Sequence, residues 1–460
     1  AVFPVQALEK PNVLFIAVDD LRLQSPVFGQ HQMITPGLRR LASEGVTFSR
    51  AYVSVPVCGA SRASLMTGVR PADNRFFNYY TRKDKDLPDV PSLAKWFKDH
   101  DYTTLSNGKV YHHADDDLEA WSEEPWIPDH SGVGWQCYLE EKSKEMVDAN
   151  RSEENPNLVI GPATEDADVP DSMYPDGMLA EKVIRDLNRF SETGESFFVA
   201  AGFWKPHLPF NAPKKYWDLY DAYDIELADN PFKPKNAPSS AMHRFGELRD
   251  MYADVPVEGP ISDELARRLI HGYFASVSYS DAQVLKLLET LDKTGLAENT
   301  IVVLWGDHGY HLGEHSLWCK HASFDRTMNA PLLVRVPGIE GGVKTAAITE
   351  FIDIYPTLCE LAGLPLPDHL DGKSFVSELK DPDNLFKEFA YSRYHWGESI
   401  ISDRFIYTEW KNKSGKSTAR MLYDHKFDPR ENINVSENPE YAEVVTKMQE
   451  QLREVQDSIK

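Results

Sequence analysis

Two stretches of this 460-residue chain share one design, and together they constrain its fold more than any other feature. Asn12-Val-Leu-Phe-Ile-Ala-Val18 runs into Asp19-Asp20, and Thr300-Ile-Val-Val-Leu-Trp-Gly306 runs into Asp307-His308. A continuous apolar, β-branched run of this length predicts a strand buried on both faces, as in a parallel sheet. Ser196-Phe-Phe-Val-Ala-Ala-Gly202 reads alike, and so does Leu332-Leu-Val-Arg-Val336, which Pro337-Gly338 ends. Helical patterns lie between them at 35–44, 92–100, 175–191 and 263–294. Alternation of this kind predicts an α/β, doubly wound sheet. In such sheets the polar residues just past the strand C-termini form the site. Asp19, Asp20, Asp307 and His308 occupy that position.

Residues 113–175 are acidic, rich in Pro, Asp and Trp, and weakly periodic, so they predict a long excursion outside the sheet, as do 224–260. Nothing in the periodicity gives a catalytic role to His113, Trp121, Trp126, His130 or Trp135 there. Lys-Asp-Pro-Asp-Asn within 379–385 marks a break. Beyond it, short alternating strands at 389–394, 404–410 and 419–423 precede a charged helix at 439–459. The expected organisation is therefore a catalytic domain over 1–380 and a small C-terminal α+β subdomain with a short antiparallel sheet over 381–460.

Charge excludes some functions. With 49 basic and 72 acidic residues the net charge is −23, which disfavours nucleic acid and acidic lipid as partners. No run of ~18 apolar residues exists to span a membrane. The four cysteines, Cys58, Cys137, Cys319 and Cys359, form no C-x-x-C pair, so neither a structural zinc nor a disulfide framework is indicated. Residues 1–8 are short and apolar, as a remnant of a cleaved leader or a boundary would be.

Adjacent carboxylates at the end of a buried strand repel unless a cation lies between them. A double Asp by itself is more often a turn or a helix cap. The matching Asp307-His308-Gly309 after a second strand turns the balance toward a hard cation with oxygen ligands. A lone Cys before a helix is usually an inert thiol or at most a thiolate nucleophile. Cys58, however, stands in Cys58-Gly-Ala-Ser-Arg-Ala-Ser-Leu-Met-Thr-Gly68. That string resembles the signature of the type I sulfatases, within the alkaline phosphatase superfamily, in which the cysteine is oxidised to formylglycine. The resemblance runs from Pro11 to Pro429 and is strongest to the iduronate-2-sulfatase-like branch. It includes Gly108-Lys-Val-Tyr-His112, Lys205-Pro-His-Leu-Pro-Phe210, Tyr273-Phe-Ala-Ser-Val-Ser-Tyr279 and Leu312-Gly-Glu-His315, with Lys320 and Phe324-Asp325 beyond. Position 60 is Ala where the commoner signature has Pro, a form the resemblance associates with some bacterial maturation systems.

The resemblance implies a large, mostly parallel mixed sheet sandwiched by helices, and a chemistry to go with it. Calcium, with magnesium as second choice, would be held by Asp19, Asp20, Asp307 and His308 together with the modified Cys58. The hydrated aldehyde at 58 would offer one hydroxyl to attack sulfur and a second to expel sulfate afterwards. Arg62 would hold the hydroxyl and the carboxylates, while Lys109 and Lys320 clamp sulfate oxygens. His112 would assist elimination, and His207, with Lys320 sharing the role, would protonate the departing sugar oxygen. The expected substrate-binding rim is Asn78, Arg82, Trp204, Lys205, Tyr310, His311, His315, Trp318, Arg393 and His395, with core packing the alternative for Trp204 and Trp318. Aromatics mixed with cations suit a sulfated uronate-containing glycan, ulvan or a glycosaminoglycan for example. Two other readings stay open: a phosphate or phosphonate ester hydrolase of the same superfamily, and a sulfated-glycan binder without turnover. Further expectations are a formylglycine-generating maturation enzyme as partner, a monomer or small homo-oligomer, and a periplasmic or secreted location, lysosome-type in a eukaryote.

Overall fold

A strand buried on both faces needs a layer of helices on each side, and the chain supplies two. The computed structural model describes residues 10–128, 134–152, 154–155, 158–384 and 386–459; the expected leader remnant at 1–8, His130 and Leu385 lie outside these. Seven strands form the central sheet, in the order Val343–Thr345, Val46–Phe48, Leu332–Arg335, Thr300–Gly306, Asn12–Val18, Phe197–Phe203, Thr103–Gly108. Asn12–Val18 lies between two parallel partners, with Val18 beside both Gly306 and Phe203. Leu332–Arg335 runs antiparallel to both its neighbours, which makes the sheet mixed.

Side-chain alternation splits the core in two. Leu14, Ile16 and Val18 face one layer, which includes Leu38, Leu179, Val183 and Leu287 from the helices Pro36–Glu44, Pro175–Thr193 and Asp263–Lys293. Val13, Phe15 and Ala17 face the other, with Leu65, Phe97 and Leu358 from Cys58–Thr67, Leu93–Asp99 and Ile354–Leu361. Burying one such side chain stabilises by roughly 1.5–3 kcal/mol, so the two faces hold the strand ends rigidly in register.

The C-terminal residues form a four-stranded antiparallel sheet, Phe389–Tyr394, Gly397–Ser402, Phe405–Lys411 and Ser417–Asp424. Tyr391, Ile400, Tyr407 and Leu422 pack under the helix Ala442–Ser458. The opposite face is apolar too, with Ala390, Ile401 and Ile406 set against Tyr52, Met328 and Ile348 of the larger unit.

Several elements differ from expectation. Gly397–Ser402 is a strand that the alternation did not mark. Thr103–Gly108 is a sheet-edge strand written in polar letters, Thr-Thr-Leu-Ser-Asn-Gly, which hides it from a hydrophobic pattern. The excursions contain the helices Glu141–Ala149 and Gly246–Met251. No helix among the described residues is long and apolar enough to cross a membrane.

Candidate active site

Parallel register brings the two acidic strand ends together. Because Val18 pairs with Gly306, the next residues are neighbours, and the Asp20 amide donates to Asp307 Oδ1 at 2.9 Å. The Tyr273 hydroxyl, from the long helix Asp263–Lys293, donates to the Asp20 carbonyl at 2.7 Å and fixes that turn. His308 Nε2 lies 3.4 Å from Asp20 Oδ1 and 3.7 Å from Asp307 Oδ1.

Cys58 is the first residue of the helix Cys58–Thr67, not a loop residue preceding it, since Val57 is the extended N-cap. The whole helix is buried. One turn on, Arg62 is 0% exposed and donates through Nε to Asp307 Oδ2 at 3.0 Å, with Nη2 3.4 Å from Asp19 Oδ1. Its Nη1 also bonds the carbonyls of Lys109 and Val110, tying the nucleophile helix to the edge strand. Lys109 follows Gly108, whose φ of 74° and 2.3 Å gap between a built Cβ and the Gly202 carbonyl leave room for no side chain. The turn aims Lys109 back into the site, where its ammonium pairs with Asp19 Oδ2.

The open side of this cluster is a cavity of about 460 Å³ lined by Cys58, Tyr79, His112, Trp135, His207, Glu247, Lys320 and His321, among others. Cys58 Sγ is 3.1 Å from His112 Nδ1. Lys320 Nζ donates to both Asp20 oxygens at 3.1 Å and to Glu247 Oε1 at 2.6 Å. His207 Nε2 is 3.0 Å from the same Glu247 oxygen, and its Nδ1 is 2.6 Å from the Leu208 carbonyl. The Asp176 carboxylate accepts from the Trp204 and Lys205 amides and so anchors the loop that presents His207.

Burial and charge pull the ionisable groups in opposite directions. Burial pushes the Asp19 carboxyl up, but Lys109, His207 and Arg62 outweigh it and hold the group well below the usual range. For Asp20 burial prevails over Lys320, and the carboxyl rises to about 7. Burial, reinforced by Lys109, drives His112 down to about 3, so its ring is neutral at ordinary pH. Glu247 stays well below the usual carboxylate range despite burial, because Lys320 and His207 face it.

The donor set suits a divalent cation. Asp19, Cys58, Asp307 and His308 each bring a ligand atom within 4.8 Å of the others. Asp19 Oδ1 and His308 Nε2 are buried without a hydrogen-bond partner. Like-charged groups within 4.8 Å repel by at least about 3.5 kcal/mol at an effective dielectric of ~20. Orphaned buried acceptors beside paired carboxylates are what a bound hard cation relieves.

The expected rim fares differently from this centre. Tyr310 is 1% exposed and stacks on Tyr273 with centroids 5.6 Å apart. His311 is fully buried, Trp318 belongs to the main core, and His315 Nε2 donates to the Arg430 carbonyl at 2.8 Å. These four are corrected to interior residues. The reason is a small ribbon: His311–Leu312 pairs antiparallel with Trp318–Cys319, folding the segment inward and releasing only Lys320 and His321 to the cavity. Lys205 is 1% exposed and bonds the carbonyls of His207 and Pro209, so it braces its own loop rather than meeting a ligand. Trp204 keeps an edge on the adjoining cavity that Lys109, His112, Trp135 and His207 line, though most of the ring is core.

Asn78 and Arg82 do not line the cavity. Asn78 accepts from the Tyr80 amide, while Arg82 pairs with exposed Asp115 at 2.8 Å; Tyr79 between them is the residue that lines the cavity with Cys58. Arg393 pairs with Asp73 and lines a separate cavity with Trp396, and exposed His395 packs edge-on against Phe77. Glu247 and Trp135 were missed. Trp135 sets its ring perpendicular to His207 at 4.8 Å. Neither carried a signal, because both come from the unpatterned excursions. The cysteines are free, and all four are buried.

Comparison with known proteins agrees with this geometry. Residues 11–364 match the family model described as Sulfatase, and 313–458 match one described as N-sulphoglucosamine sulphohydrolase, C-terminal. Iduronate 2-sulfatase of Mus musculus is 33% identical over 419 residues, covering 83% of this chain and 74% of that protein. A sulfatase of Formosa agariphila is 31% identical over 445 residues, covering 94% and 84%. Among solved structures, one bound to its substrate D-glucosamine-2-N,6-O-disulfate superposes with a TM-score of 0.78 at 21% identity, covering 98% of each chain. At that identity the likeness is one of fold.

Proposed function

Since the chain belongs to the sulfatase family and is a sulfuric ester hydrolase, we propose that it removes sulfate from a uronate-containing polysaccharide or oligosaccharide after Cys58 has been converted to formylglycine. The observation that carries this reading is the position of Cys58: 3.1 Å from His112 and within 4.8 Å of ligand atoms of Asp19, Asp307 and His308. A thiol set among acids and cations at the floor of a cavity has no packing purpose.

Calcium held by Asp19, Asp20, Asp307 and His308 would neutralise sulfate charge, and the aldehyde hydrate at position 58 would supply the attacking hydroxyl. The side chains do the rest. Lys109 and Lys320 act as point charges on sulfate oxygens. Arg62, immobile between Asp19 and Asp307, keeps the nucleophile helix and the strand ends at a fixed separation. His112, neutral because burial drives its pKa to about 3, accepts a proton from the group at position 58. His207 and Lys320 line the same cavity as Cys58 and meet the departing oxygen, where general acid catalysis contributes roughly 10²–10⁴-fold. Relatives named iduronate 2-sulfatase support a sulfated sugar as the substrate class.

The test is an assay of protein whose position 58 has been checked by intact mass, first on sulfated and phosphorylated aryl esters, then on sulfated ulvan and glycosaminoglycan oligosaccharides. Sulfate release from at least one glycan is expected. A dominant rate on the phosphate ester would overturn the proposal in favour of a phosphoesterase.

A further inference from the structure

Glu247 is an acid facing a cavity that must receive an anion, so on electrostatic grounds alone it opposes binding. It sits on the short helix Gly246–Met251, inside the excursion at 224–260, where no pattern marks it. One oxygen, Oε1, meets two partners at once: His207 Nε2 at 3.0 Å and Lys320 Nζ at 2.6 Å. The other, Oε2, is buried and unpartnered.

We propose that Glu247 is the positioning residue of the leaving-group side of the cavity, holding His207 and Lys320 together where the ester oxygen departs. This rests on the reading of those two residues given above.

The remaining contacts show what Glu247 prevents. His207 is held at Nδ1 by the Leu208 carbonyl, but at Nε2 its next acid is Asp20 Oδ2, at 3.9 Å. Without Glu247 the imidazole loses its second anchor and can swing about the first. Lys320 has two claims on it, Glu247 and both oxygens of Asp20 at 3.1 Å. Removing one leaves the ammonium to collapse onto Asp20, away from the cavity and into the carboxylate cluster. A single shared oxygen keeps both groups forward and at a fixed mutual distance, which no apolar side chain could do. Misplacement by about 1 Å is enough to cost ~10²-fold in rate.

Glu247→Gln and Glu247→Asp, made in calcium-loaded enzyme with position 58 converted, test this on a series of aryl sulfates. Protonation of the leaving oxygen matters little for 4-nitrophenyl sulfate and much for unsubstituted phenyl sulfate. For Glu247→Gln the loss in kcat is expected to grow from about threefold on the first to about a hundredfold on the second, with KM unchanged or lowered because the opposing charge is gone. Glu247→Asp, which keeps the charge, should recover part of the loss on phenyl sulfate. Equal losses on both esters, or a loss confined to KM, would make Glu247 a structural or binding residue and overturn the proposal, and so would no loss at all. If the unsubstituted enzyme turned over no aryl sulfate, the reading beneath would fail first, and visibly so.

Discussion

Two buried charge clusters in this molecule have nearly the same ingredients and opposite character. One is the strand-end group of Asp19, Asp20, Asp307, Arg62, Lys109 and Lys320. The other joins Arg70, Glu350, Asp353 and Lys387 beneath the C-terminal sheet. In the second every carboxylate oxygen is used. Glu350 accepts from Arg70, Lys387 and the Tyr391 amide, and Asp353 from Lys387 and the Lys373 and Glu350 amides. Glu350 is accordingly held at about 2, where Arg70 and Lys387 outweigh its burial. In the first, Asp19 Oδ1 and His308 Nε2 make no hydrogen bond, their nearest charged neighbours, Arg62 Nη2 and Asp20 Oδ1, lying 3.4 Å away, and burial drives Asp20 up to about 7. A closed network is a fastener, whereas one with orphaned acceptors has capacity left for a ligand.

Several measurements sharpen or break that contrast. The largest effect belongs to Cys58→Ala. It should lower kcat by on the order of 10⁵–10⁶-fold, as loss of a nucleophile does, while leaving the melting temperature nearly unmoved, because a thiol's polar contacts, here with His112 and His308, are weak ones. A large loss of stability instead would make the strand-end cluster another fastener.

Glu350→Gln should do the reverse. Breaking a buried ion pair costs about 3–5 kcal/mol, so denaturant unfolding should shift strongly while kcat of the folded fraction persists.

Removal of the proposed calcium comes next. A ligand present at ~100 times its Kd contributes about 2.7 kcal/mol, so chelation should abolish turnover and lower the melting temperature, with both restored by calcium. The effect should depend on pH through Asp20. Its folded pKa of about 7 lies above the unfolded value of ~3.9, so the chelated fold binds this proton the more tightly. Stability from that source is present below ~3.9 and lost as pH rises to about 7. The calorimetric gap between loaded and chelated protein should therefore widen from pH ~5 to pH ~7. A gap independent of pH would show that the ion does not replace that proton.

The smallest effect is at His425, which pairs with Glu431 at 3.2 Å. Burial lowers its pKa, but the Glu431 bond prevails and raises it to about 9. A raised histidine stabilises fully below its unfolded pKa of ~6.5, and that contribution fades as pH climbs through the folded value. His425→Gln should thus lower the melting temperature at pH 6 and hardly at all above pH 9.5. Equal shifts at both would mean that the ion pair contributes nothing.

The centre of the site was legible in the chain because its parts are local to strong patterns. Asp19-Asp20 and Asp307-His308 are fixed by the apolar runs before them, and parallel pairing of those runs leaves the acids nowhere else to go. Cys58 and Arg62 are four residues apart on one helix, so their relation to each other is set before tertiary structure forms. The rim was not legible. Tyr310, His311, His315 and Trp318 look like ligand-binding residues by type, yet a two-residue ribbon turns them inward, and ribbon pairing leaves no periodic trace at that length.

What the amino-acid order determined alone was the four apolar strands at the centre of the sheet and their acidic ends, products of short-range pattern and burial. Tertiary structure decided which distant segments close over that centre. Lys320 meets Glu247 and Glu247 meets His207 only because two loops and a short helix, separated by 40 residues or more, return to one place. Such loops carry no repeating apolar face to announce their path, and their course is set by the core they cross rather than by their own residues.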